Sequence, residues 1–496
     1  MLLRLLYAGD LRHGGRVLLC LPQRLPRRLP FGVSLSLPFR LSQRLPLGLR
    51  LGELPLSDPS GGDPVGRLGW IYGFWKSLSP YAYARAEDDV VILPPNLVYK
   101  TNPTGAALLR HVSDGGRFED IPGFSSQRAS EIEAFFVSLK AVYDGRPAAL
   151  ERVAYDFDFT RLPVLGEIAL TYRCDNHCRF CYAGCGDPGE AERASRAREL
   201  ETAGFRRIID MFRDEAKIPF FSFTGGEPLM RPDVEELAAY ARSRGLRTNL
   251  VTNGRLATPG RAASLFAAGI ATAQVSLEAP TAELHDRLCG AAGAFDETVA
   301  GIRALLAAGL SVQTNSTLTM ANRDALLELP RFVASLGVRR MSMNLFIPTG
   351  SGATASDLFF PYSLAGAFID EARRRAHQAG VDFFWYSPTP LCLYNPLARG
   401  LGNKSCAACD GLLSVSPSGD LLPCSSWPEP VGNLLESGFG ELWFSDRAAH
   451  FKQKRYAPDS CRACSSFTAC QSACPLYWRW AGYAEIKRVF QNADAF

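Results

Sequence analysis

The sequence predicts an α/β fold: an open, partial (β/α)6 barrel of the TIM type, preceded by a small winged-helix-like domain and followed by a cysteine-rich domain. Three observations predict it. Between residues 166 and about 347, short apolar β-type runs alternate with helical periodicity, one strand-helix unit every ~25 to 50 residues. Four of the strands end in clusters of cysteine, glycine or polar residues, and open α/β sheets carry their sites at those ends. From residue 392 the cysteines crowd together at spacings typical of metal ligation.

Residues 1–65 form a low-complexity basic segment. Up to residue 56 it holds nine arginines against Asp10 and Glu53, a local charge of +7 in a chain of +4, so the remainder carries −3. The catalytic body therefore has no basic stripe for nucleic acid. Repeated Leu-Pro and Arg-Leu units show neither helical nor strand period, and their prolines oppose regular structure. The segment reads as disordered or as a misannotated start, and Cys20 within it receives no role. No run approaches the ~18 apolar residues of a membrane helix, and 14 cysteines with C-x2-C pairs in 496 residues indicate cluster or metal ligation in a reducing, cytoplasmic setting.

Residues 88–144 form the small domain, with strands at 89–93 and 97–100 around the turn Pro94-Pro95-Asn96 and helices at 104–112 and 128–143. Asn102-Pro103-Thr104 supplies a helix start, because Pro cannot continue a strand ladder and Asn or Thr caps free amides. The pattern resembles the PqqD-type peptide-recognition domain. That resemblance implies a grip on a leader peptide by strand addition, at the edge formed by Asp89–Leu93 or Leu97–Lys100. The alternative is a cap that only packs on the barrel.

The barrel occupies residues 160–350, with strands at 167–172, 220–224, 247–252, 271–276, 312–317 and 340–346. Helices are expected near 194–217, 233–244, 259–268, 296–308 and 325–336. Directly after the first strand, Cys174, Cys178 and Cys181 form C-x3-C-x2-C, with Phe180 before the third cysteine. Three thiolates hold a four-iron cube and leave one iron open for a chelating ligand. Gly225-Gly226-Glu227-Pro228 follows the second strand, Asn253-Gly254 the third, and Ser276-Leu277-Glu278 the fourth. Together these resemble the signatures of radical SAM enzymes. The resemblance implies a [4Fe–4S] cluster on the three cysteines and S-adenosylmethionine held by Gly225, Gly226, Glu227, Asn253, Ser276 and Glu278. Cys185 is expected outside the cluster and Cys289 as a packed thiol. His177 reads as a turn residue, and Tyr172 and Tyr182 as packing around the cluster.

A linking helix and strand (351–390) lead to the cysteine-rich domain (391–480) and a tail (481–496). Cys409-x9-Gly419-x4-Cys424 followed by Cys461-x2-Cys464-x5-Cys470-x3-Cys474 resembles the SPASM extension, which carries one or two auxiliary [4Fe–4S] clusters. By that resemblance Cys406, Cys409, Cys424 and Cys474 hold one, and Cys461, Cys464 and Cys470 the other. Its usual last cysteine is missing, because residues 475–496 contain none. Asp494, Glu485, an outside ligand or Cys392 could stand in, or Cys461, Cys464, Cys470 and Cys474 could form one closed site. Two zinc ribbons are the structural alternative.

The resemblance implies reductive cleavage of S-adenosylmethionine to a 5′-deoxyadenosyl radical, and oxidation or crosslinking of a peptide or protein. Flavodoxin or ferredoxin would donate the electron. Tetrapyrrole or other small-cofactor synthesis is the second reading, and a non-enzymatic electron carrier the third. No residue is assigned as a catalytic acid or base.

Overall fold

The computed structural model describes residues 2–5, 15–20, 66–79, 82–93, 97–144, 150–154, 159–185 and 199–487. They divide into two compact units, residues 1–7 with 15–161 and residues 8–14 with 162–496. Among the described residues no helix is long and apolar enough to cross a membrane.

In the first unit the strands are β1 (Leu2–Leu5), β2 (Gly15–Cys20), β3 (Tyr83–Arg85), β4 (Val90–Leu93), β5 (Leu97–Thr101) and β6 (Leu150–Ala154), ordered β3-β4-β5-β1-β2-β6. The helix Gly69–Leu78 buries Ile71, Phe74, Trp75 and Leu78, a single helical face. Asn102 caps Pro103–Ser113 by accepting from the Gly105 amide at 2.8 Å. Both helices pack with Ser126–Tyr143 on a core that includes Phe118, Phe135 and Phe136. The edge expected at 89–93 is corrected: β4 is flanked by β3 and β5, and β5 pairs with β1 on its other side. Hairpin neighbours are legible locally, whereas a third partner from a distant segment is not. Of the basic segment 1–65, only β1 and β2 are described, as backbone; the rest of that expectation lies outside the described residues.

The second unit carries seven parallel strands: β7 (Leu165–Thr171), β8 (Phe220–Gly225), β9 (Arg247–Thr252), β10 (Ile270–Ser276), β11 (Ser311–Leu318), β12 (Arg340–Leu345) and β13 (Asp382–Trp385). β14 (Leu412–Val415) adds in parallel outside β7 and continues into antiparallel β15 (Asp420–Leu422) and β16 (Gly432–Asn433). The expected six units are present, and the sheet runs beyond them at both edges. Alternation in β11 buries every second side chain against the helices and leaves the others half-buried on the inner face.

Helix boundaries differ in two places. The helix expected at 325–336 is two, Arg323–Leu326 and Leu329–Ser335, because Pro330 is accommodated in a first turn and not in a helix interior. An additional helix, Ala282–Cys289, ends at Gly290 with φ +64°. Residues 186–198 of the expected helix 194–217 lie outside the described residues; Thr202–Asp214 is helical.

Candidate metal centre and cofactor site

The loop after β7 places Cys174, Cys178 and Cys181 half-buried at the carboxyl end of the sheet. Neighbouring strand ends clamp it through backbone. The Gly226 amide donates to Thr171 O at 2.7 Å and the Glu227 amide to Arg173 O at 2.8 Å. The His177 amide reaches Cys289 O at 2.8 Å, and the Ser351 amide reaches Cys181 O at 2.9 Å. A β-carbon on Gly226 would lie 2.3 Å from Arg173 O, one on Gly290 2.4 Å from His177 O, and one on Gly350 2.4 Å from Cys181 O. Three glycines thus lie against the carbonyls of Arg173, His177 and Cys181 in the cysteine loop. Tyr182 donates its hydroxyl to Gly225 O at 3.3 Å, tying the loop to β8.

Asn253 bridges β9 to the loop: its amide nitrogen donates to Asp175 at 2.6 Å and lies 3.9 Å from Cys174 Sγ. Arg255 holds the same loop through Asn176 Oδ1 at 2.9 Å. Ser276, at the end of β10, is half-buried.

Glu227 and Glu278 make hydrogen bonds within the protein. Glu227 is fully buried and accepts from the Leu229 amide (3.0 Å), the Asn253 amide (2.7 Å) and the Thr252 hydroxyl (2.7 Å). Glu278 accepts from the Thr317 amide at 2.7 Å and is 2% exposed. Both carboxylates are buried in the turns that follow β8 and β10 and take donors from neighbouring strand ends. They fix the backbone of the strand ends, leaving Gly225, Gly226, Asn253 and Ser276 at the rim.

Burial pushes Glu227 up to about 7, against the lowering effect of its three donors. The native state retains this proton up to about pH 7, while the unfolded chain releases it near pH 4.5. Its contribution to stability therefore falls as pH rises across that window, by up to roughly 3 kcal/mol. Urea midpoints of the wild type should fall relative to Glu227→Gln between pH 5 and 7.5; parallel profiles would contradict the assignment.

The donor set fits an iron–sulfur cluster. Three thiols on one loop face one another, and backbone amides of Ala183, Gly184 and Cys185 reach Cys181, helping the Cys185 contact draw its pKa down to about 7. Cys185 also sits beside Cys174, but its thiol donates to Tyr172 O at 3.0 Å and is held protonated by its cysteine neighbours. That disposition suits a donor to the ligands and not a fourth ligand.

Cys289 is buried, as expected of a packed thiol, and it also lies within hydrogen-bonding reach of Cys178. The Glu278 amide donates to His285 Nδ1 at 3.2 Å, so Nε2 carries the proton toward Cys289 Sγ at 3.4 Å. If Cys178 ligated a cluster as a thiolate, the Cys289 S–H would donate to it and would favour the reduced state. Cys289→Ala should lower the cluster potential by tens of millivolts, since ~1 kcal/mol of lost hydrogen bonding is roughly 40 mV for one electron. An unchanged potential in an anaerobic titration would exclude the contact. The i, i+4 spacing of His285 and Cys289 is the sequence signal for this contact.

The C-terminal cysteines form two groups. Cys406, Cys409, Cys424 and Cys474 are near neighbours, with the buried Lys454 ammonium bonded to Cys406 O at 2.6 Å. Cys461, Cys464 and Cys470 line one cavity. Glu485 is committed elsewhere, accepting from the Ser363 amide at 2.7 Å and from the Tyr477 hydroxyl; Asp494 lies outside the described residues. The Tyr456 hydroxyl contacts Cys406 and the Ser472 hydroxyl contacts Cys461. Hydroxyl donors beside thiol groups suit sulfur-ligated clusters.

Comparison with known proteins gives concordant results. The radical SAM superfamily model matches residues 168–332, and SPASM, an iron–sulfur cluster-binding domain, matches residues 406–465. An AdoMet-dependent heme synthase of Methanosarcina barkeri is 30% identical over 317 residues, covering 60% of this chain and 86% of that protein. A PqqA peptide cyclase of Granulibacter bethesdensis is 28% identical over 316 residues, 61% of this chain and 80% of that protein. The crystal structure of Streptococcus suis SuiB bound to precursor peptide SuiA shares the fold, with a TM-score of 0.60 at 15% identity, over 80% of this chain and 94% of SuiB.

Proposed function

The chain belongs to the radical SAM superfamily and carries a SPASM extension, and from that premise we propose that it oxidatively modifies or crosslinks a peptide or protein. Cys174, Cys178 and Cys181 would hold a [4Fe–4S] cluster, which would supply the electron for reductive cleavage of S-adenosylmethionine to methionine and a 5′-deoxyadenosyl radical. The backbone of Gly225 and Gly226, with Asn253 and Ser276, holds that cosubstrate at the rim, and Glu227 and Glu278 keep those strand ends rigid. Inside the barrel, Asn249 donates to Ser222 at 3.1 Å, and Ser342 and Asn344 donate to Asn315 at 2.8 and 3.1 Å. Such a prearranged polar face suits the amides of a peptide backbone. The extension's clusters would receive the electron released when the substrate is oxidised, and a flavodoxin or ferredoxin in the cytoplasm would supply the first one.

The strand-addition position on β5, which this chain's own β1 fills, carries the peptide reading. It accepts β1 in antiparallel register, Leu3 opposite Thr101 and Leu5 opposite Tyr99, which is how a leader peptide would bind. The relatives named for peptide cyclisation, and a SuiB match wider than the two thirds of the chain in residues 159–487, support it. Deleting residues 66–154 should leave uncoupled SAM cleavage within about twofold and abolish peptide modification, read as loss of two hydrogens by mass spectrometry. The heme-synthase relatives favour a tetrapyrrole as the second reading. Under that reading the deletion variant keeps full substrate turnover.

A further inference from the structure

Cys392 lies in the turn after β13, well before the cysteine-rich run. It nevertheless lines the same cavity of about 120 Å³ as Cys461, Cys464 and Cys470. The electrostatic neighbours of its thiol are those three cysteines, and the amide of the preceding Leu391 donates to Cys470 Sγ at 3.4 Å. The turn is anchored from beneath. Trp385 Nε1 donates to Thr389 Oγ1 at 2.8 Å, the Thr389 amide to Lys404 O at 2.8 Å, and the Tyr362 hydroxyl to Pro388 O at 2.6 Å.

Two of the competing fourth ligands are committed elsewhere. Glu485 is already bonded to Ser363 and Tyr477. Cys474 belongs with Cys406 and Cys424. Between Cys470 and Cys474 three consecutive residues, Gln471, Ser472 and Ala473, adopt left-handed backbone with φ of 54°, 63° and 59°. Such backbone costs of order 1–3 kcal/mol per residue and persists only where the surroundings impose it. It separates two cysteines four positions apart into two different groups. Among the thirteen cysteines described, Cys392 alone is exposed; an exposed free thiol is prone to oxidation, and ligation accounts for its presence.

We propose that Cys392 is the fourth ligand of the second auxiliary cluster, replacing the downstream cysteine that this chain lacks. The cluster is then held by Cys392, Cys461, Cys464 and Cys470, each thiol releasing its proton to solvent on ligation. All four irons are coordinated by protein, so no corner is left for a substrate donor. The site is confined to electron transfer.

The inference rests on the radical SAM and SPASM reading, and the test separates the two. Full-length protein is purified anaerobically, its iron is counted, and the dithionite-reduced state is recorded by electron paramagnetic resonance. Wild type should hold about twelve irons, from three four-iron clusters. Cys392→Ala should fall to about eight, or keep iron with an altered spectrum that shifts on adding an exogenous thiol. Cys392→Ser should retain iron with an altered spectrum. A full twelve irons with an unchanged spectrum in Cys392→Ala overturns the inference alone, whereas zinc or no iron in wild type overturns the underlying reading. Independently of any variant, iodoacetamide should fail to label Cys392 in iron-loaded wild type and label it after chelation. Labelling at full iron content also overturns the inference.

Discussion

Changing Cys174, Cys178 and Cys181 together to Ala should abolish 5′-deoxyadenosine formation, at least a thousandfold below wild type, and remove about four irons per chain. The prediction follows from position as much as from chemistry. The three thiols sit on one loop, half-buried, with carbonyls held by Gly226, Glu227, His177 and Ser351 contacts that do not involve sulfur. Loss of the sulfurs therefore leaves the loop's backbone anchors in place. The auxiliary groups, on other elements, should keep about eight irons, and the thermal midpoint of the iron-loaded protein should move by only a few degrees. Persistent SAM cleavage in the triple variant would reject the assignment of the site. Equal loss of all iron would show that the three clusters load cooperatively.

The second large effect is expected at the double glycine. Gly225 has φ +130°, and a β-carbon there would lie 2.2 Å from Thr171 O; at Gly226 it would lie 2.3 Å from Arg173 O. Both obstacles are backbone at the root of the cysteine loop, which cannot move aside as a flexible side chain would. Each Ala substitution must push β8 and the loop apart, stretching the Gly226 and Glu227 amide bonds that join them. A cost of about 2–4 kcal/mol and a loss of S-adenosylmethionine affinity of roughly a hundredfold are expected. Gly260, with open space around its β-carbon position near the start of the helix Pro259–Ala268, is the control. Gly260→Ala should be neutral or slightly stabilising. Equal effects at Gly226 and Gly260 would show that the clamp is not needed.

Much of this was legible in the sequence where the signal is local. The six barrel strands, the three-cysteine loop and the strand-end polar residues follow from period and spacing, because each strand and its terminal motif lie within a few residues of one another. The hydrogen-bond partners of Glu227 and Glu278 were not legible. Their donors come from β9 and β11, 25 to 39 residues away. The parallel placement of β14 escaped for the same reason, whereas the linking helix and strand expected in 351–390 are the helix Tyr362–Gln378 and β13. A strand's length and its neighbour depend on segments that no local pattern names. The turn-borne Cys392 was visible only as one candidate among several.

β14 pairs with β7 in register Leu412 to Leu165 through Val415 to Ile168, and Ser414 donates to Glu167 at 2.7 Å across 247 positions of sequence. The strand that launches the cysteine loop thus acquires one of its two neighbours only after most of the chain has been synthesised. On the ribosome, at ~5–20 residues per second, β7 spends tens of seconds as an uncovered edge. A nascent chain released early would display that edge to other copies. Truncation between the barrel and the extension should therefore yield aggregated protein in place of a smaller enzyme.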